Sequence, residues 1–118
     1  MNSRVRVSKS FKRQAKPLLK KYPSLRDELR ELQTILHENP AHGIPLGNDV
    51  FKIRLAVKSK GRGKSGGLRV ITFLESIVIA QADEKVVNLI SIYDKSELEN
   101  LTDAEIQRLL DTVEFDDE

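Results

Sequence analysis

The hydrophobic period of the chain changes near its middle, and this constrains the fold more than any other feature. Between residues 11 and 36 apolar side chains recur every 3 to 4 positions: Phe11, Ala15, Leu18, Leu19 and Tyr22, then Leu25, Leu29, Leu32 and Leu36. From residue 50 the period drops to 2, with Phe51, Ile53, Leu55 and Val57 alternating against Lys52, Arg54 and Lys58. The first spacing puts an apolar stripe on a helix, and the second puts an apolar face on a strand. Helices this amphipathic are unstable alone, so they must bury their stripes against the sheet. The expected class is α+β.

Local signals set the boundaries. Residues 4–7 (RVRV) alternate like a half-buried strand. Ser8 or Ser10 can cap the first helix, and Pro23 stops it. Ser24, with Asp27 and Glu28 behind it, reads as the cap of a second helix that ends at ENPAHG. VFKIRLAV, LRVITFL and VVNLISIYDK read as strands, separated by the loop KSKGRGKSGG and a turn at QADEK. Thr102 and Glu105 form a capping box for a short last helix with Ile106, Leu109 and Leu110 inward. The expected architecture is an N-terminal strand and helical hairpin packed on one face of a mainly antiparallel four-stranded sheet, with the other face open. At 118 residues the chain suits one domain, 1–118.

Charge is strongly segregated. Residues 1–21 carry 8 Lys/Arg and no acid, and residues 50–70 carry 7 more, again without an acid. Residues 97–118 carry 9 acids against the single Arg108. Such a basic field concentrates phosphate and favours a nucleic-acid partner, although solvated charged faces are common. The acidic tail, about 112–118, is expected to be a frayed solubilising end, with shielding of the basic face by RNA mimicry as the alternative. No stretch approaches the roughly 20 apolar residues of a membrane helix, so no membrane partner is expected. The sequence has no cysteine, and its basic N-terminus lacks an apolar leader core, so a cytoplasmic location is expected.

The chemistry is expected on the open sheet face. Lys52 and Arg54 are two apart on one strand, Arg69 leads the next, and Tyr93 and Lys95 close the last. Guanidinium groups can bind developing charge on phosphoryl oxygens, and a lysine whose pKa is lowered by cationic neighbours can deprotonate a 2′-hydroxyl. That inventory needs no metal or other cofactor. Lys52 and Arg54 could instead be the solvated side of a strand, and Tyr93 a core aromatic. Lys58, Lys60, Arg62 and Lys64 lie on the Gly-rich loop, which suits tracking an RNA backbone or simply connecting a hairpin. The Gly63-Lys64-Ser65 run is not a phosphate-binding P-loop: the first glycine of that motif would fall on Lys58, and the loop enters a strand rather than a helix. His37 and His42 have no third metal ligand nearby in sequence.

FKIRLAVKSKGRGKSGGLRVI and NLISIYDKSELENLT resemble the RelE/ParE superfamily of toxins from toxin–antitoxin pairs, and in particular its HigB-like branch. The resemblance spans nearly the whole chain and implies a RelE-like fold. It also implies a ribosome-dependent mRNA endonuclease (mRNA interferase), with mRNA, the ribosome and a cognate antitoxin as partners. In that reading Lys52 and Arg54 match the basic strand, Arg69 the arginine that contacts the scissile phosphate, and Lys95 the basic end of the last strand. The tyrosine that RelE carries just beyond that strand has no counterpart here, where Glu99, Asn100 and Leu101 stand. Tyr93 is its candidate substitute. Two alternatives have no nuclease chemistry: a ParE-like inhibitor of DNA gyrase, and a degenerate toxin that only binds antitoxin or RNA.

Overall fold

The computed structural model describes residues 3–61, 67–95 and 101–116. Strand β1 (Ser3–Val7) leads into helices α1 (Lys9–Lys21) and α2 (Leu25–Glu38). There follow β2 (Ile44–Gly47), β3 (Val50–Leu55), a 3-10 turn (Lys58–Lys60), β4 (Leu68–Ile79), β5 (Ala82–Asp94) and α3 (Asp103–Asp111).

The class is α+β, but the sheet is not the expected four-stranded, mainly antiparallel one. It is mixed, with five strands in the order β1-β5-β4-β3-β2. The extra strand, β2, has every residue exposed and contains Pro45, which an edge tolerates because no ladder bond needs its missing N–H. With no buried face it shows no alternation, so the period does not reveal it. Asn48 and Asp49 turn the chain into β3 with left-handed φ of 54° and 63°, a conformation these residue types tolerate. At the other edge β1 runs parallel to β5, with Val5 opposite Val87. The four residues RVRV encode a strand but not its partner.

The first core lies between the helices and the sheet. Phe11, Ala15, Leu18, Leu25, Leu32 and Leu36 meet Ile53, Val57, Val70, Val87, Leu89 and Ile92 there. The opposite face is not open, which corrects the second architectural expectation. Val50, Ile71, Ile90 and Tyr93 pack against Ile106 of α3, with Phe73, Leu109, Leu110 and Val113 around them. The apolar face of α3 is too large to leave wet, and this sheet face is where it can be buried.

Caps and one irregularity fix the alignment. Ser8 caps α1 by accepting from the Phe11 N–H at 3.0 Å, and the Thr102–Glu105 capping box on α3 is complete in both directions. Ser24 does not cap α2: its hydroxyl goes instead to Glu28 and Ser59, at 3.0 and 2.8 Å. The ladder between β4 and β5 shifts by one residue, pairing Ile71 with Ser91 but Thr72 with Leu89, so Ile90 is an extra residue on β5. Backbone groups of β5 beyond the reach of β1 find partners on α1. Ser10 donates to the Ile90 carbonyl at 2.9 Å, and the Gln14 side-chain oxygen accepts from the Ile92 N–H at 3.1 Å.

The β4–β5 hairpin is longer than its sequence suggests. The expected turn at QADEK is instead a two-residue turn at Ala80 and Gln81, with φ of 50° and 67°. That geometry normally selects Asn-Gly, so the pair gives no turn signal.

Candidate functional site

Three adjacent strands contribute the site. Arg54 on β3 pairs with Arg69 on β4, which pairs with Tyr93 on β5, so the three residues form one transverse row. Lys52 lies two residues from Arg54 on the same side of β3, in register with Ile71. The extra residue at Ile90 makes the row possible. With strict alternation Tyr93 would join Val87 and Leu89 on the helix side; the irregularity turns it toward Arg69 and turns Asp94 toward the helices.

Accessibility divides the row. Arg54 and Lys95 are exposed and Lys52 is half-buried. Arg69 is 3% exposed and Tyr93 9%, and Tyr93 packs with Ile106 of α3 in the second core. The Arg69 side chain donates to the Leu68 carbonyl at 3.2 Å. Burial and then the neighbouring Arg54 cation lower the pKa of Arg69, and Tyr93 opposes them. A guanidinium nevertheless stays protonated at neutral pH. Burial raises the pKa of Tyr93 against the pull of the Arg69 cation and the Leu101 backbone, which keeps the ring a neutral phenol. Tyr93 also lines a cavity of about 240 Å³ with Gln14, Ser91, Glu105 and Arg108. Tyr93 is thus a core aromatic with a polar tip, the alternative left open by the sequence.

The root of the Gly-rich loop is tied down from below. Lys60 Nζ donates to Asp94 Oδ1 at 2.8 Å, and the Tyr22 hydroxyl donates to Asp94 Oδ2 at 2.9 Å. The Asp94 side chain is 1% exposed and that of Lys60 10%. Lys60, expected to face RNA in solvent, therefore points into the fold. The Lys58 N–H donates to Glu28 Oε2 at 2.7 Å, while the Lys58 side chain is exposed. Gly67 ends the loop where a Cβ would lie 2.1 Å from the Leu55 carbonyl oxygen, so no other residue fits that approach. Arg62 and Lys64 lie outside the described residues.

The structure brings Lys52, Arg54, Arg69 and Tyr93 together and leaves Lys95 just past the end of β5. The residues the sequence reading missed are Tyr22, Glu28 and Asp94, which fix the loop root. Their only signal was a polar residue at a position packed as core, which is legible only once the fold is known. Among the described residues no cluster of three or more His, Cys, Asp or Glu could hold a metal ion. No helix among them is long and apolar enough to cross a membrane.

No family model, curated protein or solved structure matches this chain.

Proposed function

We propose that the chain is the toxin of a toxin–antitoxin pair, a RelE-like endoribonuclease of the cytoplasm that cuts ribosome-bound mRNA without a metal. The observation that carries this reading is the opposition of Arg54 and Arg69 on neighbouring strands. Like charges directly across a ladder repel one another. In this reading the repulsion is relieved by an anion bound between them. The two guanidiniums hold the phosphoryl oxygens of one ribonucleotide linkage and stabilise the charge that develops as the 2′-oxygen attacks. Tyr93, a neutral phenol, serves as a hydrogen-bond donor. Lys52 and Lys95 are the candidates for moving the proton, and Lys58 extends the cationic surface along the RNA. The resemblance of the strand-loop-strand segment to HigB-like toxins supports the same reading, with a cognate antitoxin as partner.

The burial of Arg69 and Tyr93 favours a second reading, in which the row is a structural remnant and the protein binds antitoxin, RNA or DNA gyrase without chemistry. Translation of a reporter mRNA with purified ribosomes separates the two. The nuclease leaves discrete fragments of ribosome-bound message, and Arg54→Ala or Arg69→Ala lowers the cleavage rate on the order of a hundredfold or more. Intact message at a concentration of folded protein that arrests growth overturns the nuclease reading. Accumulation of gyrase-dependent DNA breaks would identify the inhibitor instead.

A further inference from the structure

The C-terminal segment is docked on the protein rather than frayed. After α3 ends, residues 113–116 cross to the N-terminal strand and helix, the other end of the molecule's charge pattern. Glu114 accepts the Lys9 backbone N–H through its carbonyl oxygen at 2.8 Å and approaches the Lys9 ammonium at 3.7 Å through its carboxylate. The ring of Phe115 lies under the Arg6 guanidinium, 3.7 Å from ring centroid to Cζ. Asp116 takes the Lys12 ammonium in an ion pair. A groove of about 340 Å³ between Arg4, Arg6, Lys12, Phe115 and Asp116 remains beside the tail.

The order of these groups matters. A carboxylate, an aromatic ring and a second carboxylate follow one another at residues 114, 115 and 116. They meet, in turn, an ammonium, a stacking guanidinium and another ammonium. A strand of RNA presents phosphate, base and phosphate in the same sequence, and arginine stacking on an exposed base with flanking phosphate contacts is how single strands are gripped. The occupant also has the charge opposite to its seat: residues 1–21 hold 8 basic side chains and no acid. The contacts replace the expected frayed end by a docked one.

We propose that the surface formed by Arg6, Lys9 and Lys12 is a second RNA contact, separate from the Arg54–Arg69 row, and that the tail of the chain occupies it until RNA displaces it. The proposal rests on the RNA-directed reading above and adds a place where the strand is held away from the bond that is cut. Ribosome-bound message and structured rRNA are both sources of such a strand, and an acidic peptide of a protein partner is the competing occupant.

The test uses a fluorescently labelled single-stranded oligoribonucleotide, without ribosomes, titrated against the full chain across a range of salt. A variant carrying Glu114→Gln, Phe115→Ala and Asp116→Asn should bind roughly tenfold more tightly, with a salt slope steeper by about 1.4 for two additional phosphate contacts. Adding Arg6→Ala and Lys12→Ala should abolish that gain, whereas adding Arg54→Ala should leave it. A charge-matched control, Asp27→Asn with Glu31→Gln, removes as many acids elsewhere and should show no gain. The proposal is overturned by unchanged affinity in the tail variant, by a gain that survives Arg6→Ala and Lys12→Ala, or by an equal gain in the control.

The unaltered protein gives a second readout: carboxypeptidase should trim its tail faster when the oligoribonucleotide is present. Trimming that RNA does not change, but that an acidic pentapeptide of the tail sequence accelerates, would assign the surface to a protein partner. Binding and cleavage fail separately. A gain in binding without reporter cleavage sinks the nuclease reading alone, and cleavage without a gain sinks this one alone.

Discussion

The buried pair of Lys60 and Asp94 should respond very differently to loss of either partner and to loss of both. Lys60→Met leaves the Asp94 carboxylate, 1% exposed, without the ammonium 2.8 Å away. A short aspartate side chain cannot reach water from that position, so the expected cost is about 3–5 kcal/mol, the usual penalty for removing one member of a buried ion pair. That is a large part of a total stability of about 5–15 kcal/mol. Asp94→Ala should cost less, about 2–3 kcal/mol. The Lys60 chain can swing its head outward from 10% exposure. The Tyr22 hydroxyl, which donates to Asp94 at 2.9 Å, loses its acceptor. Lys60→Met combined with Asp94→Leu should cost at least about 2 kcal/mol less than the sum of Lys60→Met and Asp94→Leu alone. Urea unfolding at neutral pH measures all three effects as shifts in midpoint at constant m-value. Loss of less than about 1 kcal/mol in Lys60→Met, or strict additivity in the double variant, would show that the pair is not a coupled buried unit. Because Lys60 is anchored inward, RNA affinity of the folded Lys60→Met protein should match that of the parent.

Two further outcomes follow from local geometry. Replacing Ala80 and Gln81, both left-handed, by Asn and Gly should raise stability by about 1–2 kcal/mol in the same unfolding assay, since the turn then carries its preferred residues. Tail docking should weaken in acid. The Lys12 ammonium holds the Asp116 carboxyl below its ordinary pKa when docked, so the docking contribution is present above the ordinary carboxylate range and is lost as pH falls through the lowered value. Tail trimming by an acid-tolerant carboxypeptidase should therefore accelerate on acidification, and a rate independent of pH would contradict the ion pair.

Much of the framework was legible because period and caps are local properties. The stripe from Phe11 to Leu36 gave both helices, Ser8 and Thr102 cap where their sequence context says they should, and alternation from residue 50 gave β3. What escaped was set by partners distant in sequence. Strand β2 is an edge with no buried side, so it has no pattern. The hairpin turn uses Ala80 and Gln81, which carry no turn signature. The fate of Lys60 depends on Asp94, and a list of lysines on a glycine-rich loop cannot distinguish an inward from an outward ammonium. The cationic strand positions Lys52, Arg54 and Arg69 could be picked from the sequence. Their depth could not, because a strand's period does not tell whether its polar face is covered, and this sheet face carries a second core.

One added unit of chain length at Ile90 decides the chemistry of everything after it on β5. Sidedness flips with each residue, so the insertion trades two neighbours: the phenol goes to the arginines and the carboxylate goes to the lysine. Were the ladder of this same sequence regular through Ile90, Arg69 would face Ile92, Asp94 would turn to the side of Arg69, and Tyr93 would turn toward the helices. The phenol in the row and the carboxylate beneath Lys60 thus both depend on parity.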